Sequence, residues 1–61
     1  MFDELDVVRL VADADLEGEA LVAGSEGTVL LVHDAGAAYE VEFMSPRHAI
    51  VGVPADLLEA L

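Results

Sequence analysis

Between residues 39 and 43 the chain alternates strictly: Tyr39-Glu40-Val41-Glu42-Phe43. Side chains along a strand point to opposite faces with a period of 2, so Tyr39, Val41 and Phe43 share one face and Glu40 and Glu42 the other. The pattern predicts a half-buried antiparallel strand. Just upstream, Thr28 to His33 reads Thr-Val-Leu-Leu-Val-His, apolar on both faces at its centre, as expected of a strand at a tight bend of a small barrel. Asp34, Ala35, Gly36 and Ala37 join the two as a turn, with Gly36 the natural occupant of a positive-φ position. Gly27, just before the first of these strands, predicts a bend or a close backbone approach. A further short strand is expected over Asp6 to Val11, where Val7, Val8, Leu10 and Val11 cluster, and another over Ala49 to Val53, reached through a connection at Ser45-Pro46-Arg47.

Two segments do not declare themselves in this way. Over residues 12 to 25 the apolar density falls, and Asp13, Asp15, Glu17 and Glu19 alternate with small residues around Gly18 before Gly24 and Ser25 close the stretch. This predicts a long solvated loop or excursion. The last segment, Pro54 to Leu61, has the local propensity of a helix starting near Pro54 or Asp56, yet it is too short to be stable unaided, so its state is left to tertiary context.

Length sharpens the demands on these few elements. A chain of 61 residues is expected to fold as one domain, 1–61, near the size at which only about 60% of the unfolded surface is buried. There is no cysteine, so neither a disulfide nor a cysteine-ligated zinc can compensate for a small core. No run approaches the roughly 18 apolar residues of a membrane span, and the N-terminal Met-Phe-Asp-Glu-Leu-Asp has no signal-peptide pattern, so a cytoplasmic protein is expected.

Charge narrows the function more than the pattern does. Thirteen acids face two arginines, Arg9 and Arg47, and no lysine, for a formal net charge of -11. Binding to a phosphate backbone depends on Lys and Arg displacing counterions, and anionic membranes attract basic segments, so neither nucleic acid nor membrane is expected as a partner. A field of this sign favours basic partners or cations. The plainer reading is that the acids serve solubility or adaptation to a salty cytoplasm.

The residues capable of chemistry are few. The four alternating carboxylates of 13–19 look like a cation site, but they lack the Asp/Asn spacing, turn glycine and closing bidentate Glu of a calcium loop, which leaves a solvated acidic loop as the default. Ser25 and Ser45 adjoin Gly and Pro, where a turn role is usual, and Thr28 lies within a strand. His33 and His48 would approach each other only if their strands pair, and with Asp34 or Glu26 would then form a metal site. Glu40 and Glu42 are a carboxylate pair of the kind glycosidases use, though a barrel this small seldom forms the cleft such chemistry needs. The expectation is therefore no enzyme, no catalytic residue, no metal and no cofactor.

The segments "LDVVRL", "GSEGTVLLV", "AYEVEF" and "VPADLLEAL" resemble the short bacterial proteins of domain of unknown function 4926, most specifically at Gly24 with Gly27-Thr28-Val29 and at Tyr39 to Phe43. More loosely, the Gly-x-x-Gly-x-Val entry into a strand is similar to other SH3-like barrels, including KOW modules and the barrel of the nitrile hydratase β-subunit. The resemblance implies an all-β fold, a small SH3-like barrel of about five short antiparallel strands. It also implies a 3-10 turn over residues 54–57 and a short final strand from Leu57 to Ala60. It does not carry RNA binding with it, since KOW modules use basic loops where this chain has acids. Nor does the chain have the aromatic groove of proline-peptide readers, its only aromatics being Phe2, Tyr39 and Phe43.

The function expected on these grounds is an acidic protein-interaction module that binds a basic protein, an antitoxin or immunity role being one concrete version. Its contact residues would come from Asp13, Asp15, Glu17, Glu19, Asp34, Glu40 and Glu42. The alternative is a structural or accessory domain that self-associates or joins a larger complex, its acids serving solubility alone.

Overall fold

The computed structural model describes residues 1–45 and 47–61. The connection expected at Ser45-Pro46-Arg47 turns on Pro46, which lies outside the described residues. The chain is all-β, with seven strands: β1 (Val7–Leu10), β2 (Ala14–Leu16), β3 (Glu19–Leu21), β4 (Glu26–His33), β5 (Ala38–Phe43), β6 (Ala49–Pro54) and β7 (Leu58–Ala60). Five of them form an antiparallel sheet in the order β6-β5-β4-β1-β7, and β2 and β3 pair as a separate hairpin. This order, with an excursion between the first two sheet strands and a 3-10 turn before the last, is that of the expected SH3-like barrel.

Alternation governs the core. On β5, Tyr39, Val41 and Phe43 are buried while Glu40 and Glu42 are half-buried on the opposite face. Val8 and Leu10 of β1, Val29 of β4, Val51 and Val53 of β6 and Leu58 of β7 complete the interior, and no polar or charged side chain is buried with them among the described residues. The long strand β4 serves both halves of the sheet. It pairs with β1 through Val7↔Thr28 and with β5 through Thr28↔Glu42, and its register with β5 shifts between Val29 and Leu31, where a bulge lets it bend. Gly27 makes the expected close approach: a Cβ there would stand 2.6 Å from Val41 Cγ1 and 2.9 Å from the Glu42 carbonyl oxygen.

Three features depart from, or sharpen, the expectations. The stretch 12–25 is not wholly a solvated loop. It folds as the β2–β3 hairpin around Glu17 and Gly18, whose φ angles of 51° and 80° suit a tight two-residue turn of type I′. The hairpin forms because Leu21 is buried in the core and Leu16 packs against it, giving the excursion an apolar anchor. In the turn after β4, Gly36 takes the expected positive φ of 99°, but Asp34 and Ala35 also adopt left-handed conformations, at 52° and 56°. At the C-terminus the helix propensity yields to the sheet. Ala55–Leu57 is a 3-10 turn, and β7 pairs with β1 at Val8↔Ala60 and Leu10↔Leu58, which buries Leu58. Among the described residues no helix is long and apolar enough to cross a membrane.

The two sheet edges are guarded differently. Strand β7 is only three residues long. On β6 the Gly52 N–H donates to the Glu17 carboxylate at 3.0 Å, and Pro54 has no N–H to offer. Both arrangements discourage a further strand from joining the sheet.

Candidate interaction surface

The side-chain period that buries Tyr39, Val41 and Phe43 necessarily presents Glu40 and Glu42 on the outer face of β5. There Glu42 lies between Thr28 of β4 and Ile50 of β6, and Glu40 between Leu31 and Gly52. Each carboxylate holds an imidazole. His33 Nε2 is 3.2 Å from Glu40 Oε1, and His48 Nε2 is 2.6 Å from Glu42 Oε2. A carboxylate can only accept, so in both pairs Nε2 carries the proton and donates. The histidines do not meet. Strand β5 separates β4 from β6, so the shared His33–His48 site considered from the sequence does not form. Among the described residues no three His, Asp or Glu side chains are grouped to hold a metal ion.

A third carboxylate reaches this face from the excursion. Glu17, at the hairpin tip, accepts the Gly52 N–H through Oε2. The position a Cβ would take on Gly52 is 3.1 Å from Glu17 Oε2 and 3.9 Å from Glu40 Oε1. The missing side chain thus leaves a floor over which two carboxylates converge. The fold brings Glu17, Glu40 and Glu42 together on one exposed surface.

The other sequence candidates are placed elsewhere or do other work. Glu19 holds Arg47, with Nη2 at 3.0 Å and Nε at 3.2 Å from Oε1. Asp13 accepts the Ala23 N–H at 2.8 Å and so closes the base of the hairpin. Asp15 is exposed on β2, and Asp34 is exposed in the turn beyond His33, outside the group on β5 and β6. Arg9 pairs with Glu59 at 2.8 Å. Both arginines are thereby engaged with carboxylates, in exposed pairs of the kind that contribute about 0–1 kcal/mol each.

A separate open cleft of about 440 Å³ lies where β4 begins and β5 ends, lined by Val22, Gly24, Ser25, Glu26, Met44 and Ser45. It gathers both serines, Ser25 and Ser45, and neither His33 nor His48 is among the residues that line it. Glu40 and Glu42 themselves stand side by side on one face, not opposed across a cleft as a glycosidase pair would be.

The histidine partners and the reach of Glu17 to Gly52 were not evident from the sequence. Hairpin register carries a signal for the first: with His33 opposite Ala38, the ring lies diagonal to Glu40, within reach of a long side chain. The second depends on the path of the excursion, which no local pattern specifies.

No curated protein and no solved structure matches this chain. A family model does, that of the domain of unknown function DUF4926, over residues 4–55. The match runs from the approach to β1 through all of β6 and the first residue of the 3-10 turn Ala55–Leu57, and so includes the glycine entry into β4, the Tyr-Glu-Val-Glu-Phe strand and the face that Glu17, Glu40 and Glu42 share. On that extent of agreement the chain belongs to the DUF4926 family.

Proposed function

We propose that the protein is a non-catalytic acidic interaction module that docks onto a basic protein through the outer face of β5 and β6. One observation carries this reading: Glu17 and Glu40 converge over Gly52, with Glu42 on the same face of β5, while no charged side chain among the described residues is buried in the interior. A polar outer face is required by the alternation of β5, but threonine or glutamine would satisfy that requirement as well as glutamate. With both arginines already engaged by Glu59 and Glu19, the field over the face is negative. It would attract a lysine- or arginine-rich surface and speed encounter at low ionic strength. An antitoxin- or immunity-like role, in which the module covers a basic enzyme, is the concrete form of this reading. The guarded edges of β6 and β7 weigh against the alternative of self-association by strand addition.

Affinity capture from the native cell extract tests the proposal when wild type is compared with the double variant Glu40→Lys, Glu42→Lys at low and high salt. The expected result is one basic protein retained by wild type at low salt, released at high salt and not retained by the variant. Equal retention by wild type and variant would overturn the assignment of the face.

A further inference from the structure

The outer face of the sheet is not uniformly acidic. One row of direct cross-strand neighbours runs Val7, Thr28, Glu42, Ile50, and Leu61 joins it beside Val7 through its N–H to the Val7 carbonyl. The adjacent row, two residues along β1, is charged at every position: Glu59, Arg9, Glu26. On the other side Leu5 donates its N–H to the Val29 carbonyl, and Leu31 lies opposite Glu40. The apolar members, Leu5, Val7, Leu31, Ile50 and Leu61, are between 46% and 75% exposed. Apolar side chains scattered singly over a surface need no explanation. Leu61, Val7, Leu5 and Leu31 instead lie on β1, β4 and the segments hydrogen-bonded to them, bounded by Glu42 and Glu40 on β5 with Ile50 beyond Glu42, the layout of an interface with an apolar centre and a charged rim.

We infer that this face, centred on Val7 and Leu31, docks a protein whose contact surface has an apolar centre ringed by lysine and arginine. The inference rests on the proposed function and extends it, by assigning the lasting contact to the apolar side chains on β1 and β4 and the steering to the glutamates. Charge complementarity selects the occupant. Glu40 and Glu42 on β5 border these apolar side chains on one side and Glu26 on the other, so a basic rim is matched. A second copy would set another formal charge of -11 against the same rim. Any gain from covering its apolar side chains would be opposed by that repulsion.

Two probes separate the apolar contribution from the charge: an amphipathic peptide of leucine and lysine, and an oligolysine of equal charge, each titrated at physiological salt with amide chemical shifts recorded. The variant Val7→Thr, Leu31→Thr keeps charge and strand propensity and alters only exposed side chains, so it is expected to fold. The Leu/Lys peptide is expected to bind wild type about tenfold more tightly than oligolysine, with shifts concentrated on β1, β4 and β5, and the variant to lose that margin. Equal affinity for the two probes, or shifts mapping elsewhere, would overturn the apolar centre while leaving the charge-based reading standing. Binding of neither probe would overturn both. A dimer in sedimentation whose dilution reproduces the same shifts would assign the face to a second copy and overturn the basic partner.

Discussion

Gly27→Ala is the smallest change that tests how the barrel bends. The added methyl would stand 2.6 Å from Val41 Cγ1, 2.9 Å from the Glu42 carbonyl oxygen and 3.0 Å from Phe43 Cδ1. Optimal contacts between carbon atoms lie at about 3.5–4.0 Å, so the neighbours must yield by roughly 0.5–1 Å on three sides. Two of them are fully buried side chains of β5, and the third is a carbonyl in a strand paired on both sides. Overpacking of this kind costs about 1–3 kcal/mol, and the rigid neighbours place this site toward the upper end. The alanine also restricts the unfolded chain, which returns about 0.4–1 kcal/mol. The net loss is about 2 kcal/mol, a large share of the few kcal/mol that a domain this small commands.

For a domain of this size such a loss lowers the Tm by roughly 8–16 °C, read by far-UV circular dichroism at fixed salt. Gly52→Ala is the internal comparison. Its methyl would meet only the mobile ends of Glu17, at 3.1 Å, and Glu40, at 3.9 Å, which can swing away. A shift of no more than about 4 °C is expected there. A Gly27→Ala protein melting within about 3 °C of wild type, or a Gly52→Ala protein that loses as much as Gly27→Ala, would refute the close approach as the reason for Gly27.

Other expectations follow from single contacts. The buried Tyr39 hydroxyl accepts the Phe2 N–H at 3.0 Å, and the two rings meet edge to face at 5.2 Å, so Tyr39→Phe should lower stability in urea by about 1 kcal/mol. Glu17→Ala frees the Gly52 N–H; hydrogen exchange at Gly52 should accelerate well beyond that at Val51 and Val53, with global stability falling by less than about 1 kcal/mol. Raising ionic strength should raise the Tm, because it screens repulsion among the excess carboxylates. Magnesium and potassium chlorides should act alike at equal ionic strength, and an excess specific to magnesium would point to a bound cation.

The sequence disclosed what a short-range pattern can encode. The alternation of β5, the apolar-rich β4, the turn at Gly36 and the strands around Val8 and Val51 all follow from side-chain period and turn chemistry. The final strand did not, since Pro54–Leu61 has helix propensity and becomes β7 only because β1 offers it a ladder and the core a place for Leu58. The hairpin in 12–25 was hidden for a different reason. Its alternate positions hold alanines and a single leucine before the Glu-Gly turn, too little apolar contrast to register as strands, and its anchor Leu21 falls after the alternation ends. The turn signal was present all the same, in a glycine at the second central position of a two-residue loop.

The acids, which looked alike in sequence, divide by what their oxygens touch. Asp13, Glu17 and Glu19 each receive a donor from outside their own strand pair: the Ala23 N–H, the Gly52 N–H and the Arg47 guanidinium. Together they fasten a hairpin whose Leu21 completes the core. Charge removal among them would change the seating of the excursion along with the surface field, so lost binding after such a substitution would have two causes. Glu40 and Glu42 differ, because their imidazole partners are exposed or half-exposed and the core beneath them is filled by Tyr39, Val41 and Phe43. Their replacement alters the field with little effect on packing. These two positions, rather than the conspicuous acidic run of 13–19, are where the binding reading can be tested without disturbing the fold that presents it.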